Sequence, residues 1–172
     1  MNLKSSRQRI QAADSSVPII LVVEDDEDNL LFISHTLIHL GYSFVTATEG
    51  QAALNLAIEY DIDLALVDLV LSDISGLELV NNLRQNNLTK NMPIIAVSAL
   101  VREQYRDLAL KSGCDDYLSK PYLIDDLKSK IDRFLQTRRN TKSIQSMGCG
   151  PLGNYSLLSA FSRLFGLVCS TI

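Results

Sequence analysis

Ile20-Leu21-Val22-Val23-Glu24-Asp25-Asp26 is the stretch on which the fold turns: an apolar, mostly β-branched run stops abruptly at three consecutive acids. Such a run reads as a strand buried on both faces, and because a charge is expensive to bury, the strand has to end at a rim at Glu24. Two more fragments repeat the arrangement. Leu64-Ala65-Leu66-Val67 ends at Asp68, and a weaker run at Tyr117-Leu118 leads through Ser119 to Lys120-Pro121. Carboxylates gathered at strand ends repel one another, so the cluster is stable only with a cation among them. A hard metal and phosphate chemistry are the expectation.

Outward from these fragments, further buried strands are predicted at Phe44 to Ala47 and Pro93 to Val97, and the first run extends back to Pro18. Helical spacing fills the gaps. Leu30, Ile33, Leu37 and Leu40 share one face of a first helix that ends at Gly41, a residue tolerant of positive φ. Thr48 with Gln51 and Ser75 with Glu78 stand at capping-box spacing, predicting the starts of the second and third helices. A fourth runs from about Val101 to Gly113, and a fifth places Ile124, Leu127, Ile131 and Phe134 on one side.

Strict strand–helix alternation implies a parallel sheet covered on both faces, with ligands beyond the carboxyl ends of its strands. Four strand ends then carry polar groups to one rim: Glu24 and Asp25, Asp68, Ser98, and Ser119 with Lys120. The second strand offers nothing ionisable before Glu49, which predicts that it lies at an edge.

Composition bounds the alternatives. A chain of 172 residues supports one domain with extensions, and 47% hydrophobic against 21% charged residues is the balance of a globular protein. Residues 1–140 hold 14 basic and 20 acidic side chains, a balance of -6, whereas 141–172 carry +2; an acidic domain argues against direct nucleic-acid binding. Cys114, Cys149 and Cys169 are odd in number and lack metal-ligand spacing, as expected of reduced thiols. No secretory core occurs in residues 1–14 and no run approaches the roughly 20 apolar residues of a membrane span, so a cytoplasmic protein is expected. The predicted organisation is a flexible extension over 1–16, the domain over 17–137, a linker over 138–156 and an apolar tail over 157–172. Leu157, Phe161, Leu164 and Val168 in the tail have helix-compatible spacing, read either as a docking helix or as a segment without fixed structure.

Each site residue has a plainer reading. Asp26, Glu27 and Asp28 are expected to cap a helix. Glu24 and Asp25 alone read equally as cap or metal site, Asp68 alone as a turn former, and Lys120 alone as a solvated lysine. Together, three carboxylates in one crevice are held ionised most economically by magnesium with oxygen ligands and retained waters. Lys120 could reach a carboxylate or a phosphoryl group on it, a pairing of about 4 kcal/mol at 4 Å and an effective dielectric of roughly 20, before desolvation. Ser98 would add a hydroxyl donor to the same oxygens.

Four stretches in this order, Ile20 to Asp26, Leu66-Val67-Asp68-Leu69-Val70-Leu71, Pro93-Ile94-Ile95-Ala96-Val97-Ser98-Ala99 and Asp116-Tyr117-Leu118-Ser119-Lys120-Pro121-Tyr122, resemble the receiver domain of two-component response regulators over about residues 17–137. The resemblance implies a flavodoxin-like, doubly wound five-stranded parallel sheet with five helices. It also implies that Asp68 accepts a phosphoryl group from a sensor histidine kinase or histidine phosphotransfer protein. Glu24, Asp25, Asp68 and the backbone carbonyl of Val70 would hold Mg2+, Lys120 and Ser98 would meet the phosphoryl group, and Ser98 and Tyr117 would switch. Output would pass to a downstream protein target from a stand-alone receiver, and a phosphorylation-dependent homodimer is compatible with it.

Three departures stand out. Glu24 occupies a place where the family often has Asp, Ser72 one where proline is common, and Ser98 one where threonine is commoner. None removes a reacting group. Val70 and Leu100 offer no polar atom to orient an attacking water, so slow self-dephosphorylation is expected. A haloacid-dehalogenase-type phosphatase would need Asp-x-Asp-x-Thr on its strand, but Asp26-Glu27-Asp28-Asn29-Leu30 comes too late; a GTPase would need a phosphate-cradling Gly-x-x-x-x-Gly-Lys loop, which the chain lacks. A receiver-like module that works by contact alone is the remaining rival, and residues 138–172 are too few and too apolar for a helix-turn-helix domain.

Overall fold

The computed structural model describes residues 17–100 and 102–146, with side chains described to residue 137. The elements alternate as β1 (Ile19–Val23), α1 (Glu27–His39), β2 (Ser43–Ala47), α2 (Gly50–Glu59), β3 (Leu64–Val67), α3 (Gly76–Gln85), β4 (Ile94–Ser98), α4 (Glu103–Lys111), β5 (Asp116–Ser119) and α5 (Ile124–Ser146). All strands are parallel, in the order β2-β1-β3-β4-β5, which is the flavodoxin-like doubly wound arrangement. As expected, β2 is an edge strand; β1, β3 and β4 are interior.

The period-two alternation of each strand sorts the core into two layers. Leu21, Val23, Ala65, Val67, Ile94 and Ala96 pack with residues of α2, α3 and α4, including Ala53, Leu79, Val80 and Ala109. Ile20, Val22, Leu64, Leu66, Ile95 and Val97 meet Ile33 and Leu37 of α1 and Leu127, Ile131 and Leu135 of α5 on the other face. Ile20, Leu21, Leu64, Leu66, Ile94 and Ile95 are fully buried, so both faces of the central strands are sealed.

Helix termini follow local chemistry at two of the expected places. Asp26 caps α1, its carboxylate accepting from the Asn29 N–H at 2.8 Å, and Ser75 caps α3 by accepting from the Leu77 N–H. Gly41, with φ of 77°, follows α1. At α2 the expected capping box is not used. The N-cap is Glu49 with no side-chain bond, and Asp73, from the loop after β3, accepts from the N–H groups of Gly50 and Gln51 at 2.9 and 3.2 Å.

The compact unit ends at Arg139. The linker expected from residue 138 is helical as far as Ser146, because a polar run without glycine or proline continues the α5 ladder. The extension at 1–16, Val101, the remainder of the linker at 147–156 and the apolar tail at 157–172 lie outside the described residues.

Candidate functional site

Parallel pairing continues for one residue beyond β1, β3 and β5, and those residues are the ones that bear the polar groups. The Glu24 N–H donates to the Ala47 carbonyl at 3.1 Å, the Asp68 N–H to Val23 at 2.9 Å and the Lys120 N–H to Ser98 at 2.8 Å. Val23 is in register with Val67, so Glu24 and Asp68 are neighbours on the rim, while Ser98 pairs with Ser119 and brings Lys120 round from the far edge. The Lys120–Pro121 peptide is cis.

The ammonium of Lys120 donates to both carboxylates, Glu24 Oε2 at 2.5 Å and Asp68 Oδ2 at 2.7 Å. All three side chains are largely withdrawn from solvent, which strengthens their attraction and penalises any unpaired charge. Burial pushes the Glu24 carboxyl above the usual range and outweighs the opposing pull of Lys120. Burial also works against the Lys120 charge, but Asp68 and Glu24 together hold the ammonium above its ordinary value. The other oxygen of Asp68 accepts from the Val70 N–H at 2.8 Å, and the Val70 side chain is exposed.

Ser98 is fully buried, and its hydroxyl oxygen accepts from the Leu100 N–H at 3.3 Å. Tyr117 is partly buried against the α2–α3–α4 layer, with its hydroxyl donating to the Leu100 carbonyl. Burial pushes this phenol upward, Ser98 pulls it down and the Asp68 charge adds to the rise. The structure therefore joins Glu24, Asp68 and Lys120 directly and links Ser98 and Tyr117 through Leu100.

Asp25 stands beside Glu24 on the rim, partly exposed. Among the described residues no group of three His, Cys, Asp or Glu side chains is already drawn to metal-ligand spacing. The donor chemistry nonetheless fits a hard divalent ion: three carboxylates from Glu24, Asp25 and Asp68 against the one Lys120 ammonium leave two negative charges, offered as oxygen ligands next to solvent.

Two contributors escaped sequence reasoning. Asn29, on the first turn of α1, donates from Nδ2 to Glu24 Oε1 at 3.2 Å. Tyr122 follows the cis proline, packs with the α1–α5 layer and lies against Phe32, with ring centroids 6.3 Å apart. Asn29 is five residues from its acceptor in a run already explained as a cap, and Tyr122 reads as ordinary core.

The family model for the response regulator receiver domain matches residues 20–132. The chain belongs to the response regulator receiver family. Among similar proteins, a probable cyclic di-GMP phosphodiesterase of Vibrio cholerae is 35% identical to this receiver over 127 residues, covering 74% of this chain and 29% of that protein. The response regulator ArlR of Staphylococcus haemolyticus is 37% identical over 117 residues, covering 68% of this chain and 52% of that protein. The receiver thus spans less than a third of the first relative and about half of the second. The receiver domain of the sensor histidine kinase PA1611 from Pseudomonas aeruginosa PAO1, solved with a magnesium ion coordinated in its active-site cleft, superposes with a TM-score of 0.66 at 29% identity, over 70% of this chain and 99% of that one. No helix among the described residues is long and apolar enough to cross a membrane.

Proposed function

We propose that this receiver takes a phosphoryl group onto Asp68 from a sensor histidine kinase or histidine phosphotransfer protein and signals by conformation to a protein partner, within a cytoplasmic phosphorelay. The observation that carries the reading is the Lys120 ammonium held between the buried ends of Glu24 and Asp68. With Glu24 and Asp68 withdrawn from water, their shared cation offsets their mutual repulsion, and it stands where a phosphoryl group on Asp68 would need neutralising.

In the reaction, a carboxylate oxygen of Asp68 attacks the phosphorus of a phosphohistidine. The P–N bond breaks with its electron pair going to the imidazole, and an acyl phosphate remains. Such transfers are governed by positioning and charge compensation. Lys120 balances the new charge, and the Ser98 hydroxyl, whose oxygen now accepts from Leu100, donates its proton to a phosphoryl oxygen. Glu24, Asp25, Asp68 and the Val70 carbonyl would hold Mg2+, which when bound supplies positive charge to the phosphoryl oxygens. Movement of Ser98 toward the phosphoryl group alters its link through Leu100 to Tyr117, so the outer face of α4, β5 and α5 reports the event; that face would serve the downstream target or a homodimer.

Incubation with acetyl phosphate and Mg2+ tests the reading. Wild type should gain the mass of one phosphoryl group in alkali-labile form, and Asp68→Asn should not. Labelling that persists in the variant would move the acceptor elsewhere, and repeated turnover of phosphate monoesters would indicate a phosphatase. Because Val70 and Leu100 offer no polar side-chain atom to orient an attacking water, the isolated phosphoprotein should outlast seconds.

A further inference from the structure

We infer that Asn29 is a positioning residue matched to the length of Glu24: its side-chain amide fixes one carboxylate oxygen so that the other stays on Lys120 and the group faces the crevice. The inference rests on the proposed use of that crevice as a magnesium and phosphoryl site.

A glutamate has one more rotatable bond than an aspartate, so a carboxylate at this strand end is free to swing unless both oxygens are engaged. They are. Oε1 accepts from Asn29 Nδ2 at 3.2 Å and Oε2 from Lys120 Nζ at 2.5 Å. The Glu24 residue is 4% exposed and its bond to Asn29 is partly buried, with Asn29 itself at the surface. Helix capping does not account for the Asn29 side chain: the cap of α1 is made by the Asn29 backbone N–H on Asp26, which any residue except proline would supply. The amide is thus surplus to the helix and committed to the site. Side chains that orient ligand groups from behind commonly govern metal affinity by about 10- to 100-fold when removed.

A comparison across two backgrounds tests this. The Mg2+ dissociation constant is measured by titrating intrinsic tyrosine fluorescence, with thermal unfolding recorded for every protein and acetyl phosphate labelling as a separate readout. Asn29→Leu in the Glu24 protein should weaken Mg2+ by about ten-fold with its unfolding temperature little changed. The same substitution in a Glu24→Asp background should produce a much smaller further loss, because the shorter carboxylate no longer reaches the amide. Equal losses in both backgrounds, or no loss in the first, would overturn the inference. Should Asn29→Leu fail to fold, Asn29→Ser, too short to reach Glu24, carries the same comparison. If wild type itself neither binds Mg2+ nor labels, it is the phosphoacceptor reading that fails, and a wild type that does both with an indifferent Asn29→Leu leaves that reading intact.

Discussion

The Tyr117 hydroxyl donates to the backbone carbonyl of Leu100, so β5 is tied by one side chain to the loop that leaves β4. The same Leu100 offers its N–H to Ser98, which makes a single peptide segment the meeting point of the hydroxyl and the aromatic ring. Tyr117→Phe keeps the packing and removes the bond. It is expected to cost about 1 kcal/mol in urea unfolding with an unchanged slope. A loss near zero would show that water substitutes for the phenol and that the tie is weak.

Replacing Lys120 with methionine leaves two carboxylates facing each other without their shared cation. Removal of one partner from a buried charge group typically costs about 3 to 5 kcal/mol. Lys120→Met should therefore be less stable than wild type in metal-free buffer near neutral pH, and Mg2+ should restore more stability to the variant than it adds to wild type. Calorimetry in chelator and in excess Mg2+ measures both; a variant indifferent to the ion would remove the support for a divalent site here.

Gly76 is required by close approach. A Cβ at this position would lie 2.2 Å from the Asp68 carbonyl oxygen and 2.5 Å from the Leu69 Cα, both main-chain atoms that cannot swing away. Gly76→Ala should cost about 3 kcal/mol and slow acetyl phosphate labelling, since relief requires moving the strand end that carries Asp68. Unfolding and labelling rates measured on the same preparation decide it.

Asp116 supplies a pH-dependent contribution away from the site. Burial pushes its carboxyl up, but Lys130, at 2.7 Å, the Tyr117 N–H and Arg133 outweigh burial and hold it below the usual range. A folded-state value below the unfolded one means stability that is present above the unfolded pKa, about 3.9, and lost as pH falls through the folded value. Asp116→Asn should be about 2 kcal/mol less stable than wild type at pH 7. The gap should close under acid conditions, and a gap independent of pH would assign the loss to packing.

The sheet was legible because its signals are local. Four apolar runs, the missing ionisable group after β2 and the polar residues ending the other strands point to an edge and a rim together, and Leu64–Val67 matches its predicted bounds to the residue. The meeting of Glu24, Asp68 and Lys120 followed from topology once those ends were assigned to one rim. What the sequence hid depends on approach between distant segments. Thr48 and Gln51 have capping-box spacing, yet Asp73 arrives from 23 residues away and takes the N–H groups of α2. Arg84 is another case: its guanidinium binds the carbonyls of Gly113, Lys90 and Met92 and the Asp115 carboxylate, fastening α3 to the starts of β4 and β5, and no spacing along the chain announces it. The helix continuing to Ser146 was not announced by the sequence, because polar residues without glycine or proline are as compatible with a helix as with a coil.

Asp73 also changes what the connection between β3 and α3 can tolerate. Surface connections are ordinarily where inserted residues, permuted termini or peptide tags do least harm. This one holds up the first turn of a helix whose own residues supply no cap, so lengthening it between Leu69 and Ser75 would loosen α2 as well as the loop itself, and the chain's tolerance for grafting has to be sought elsewhere on its surface.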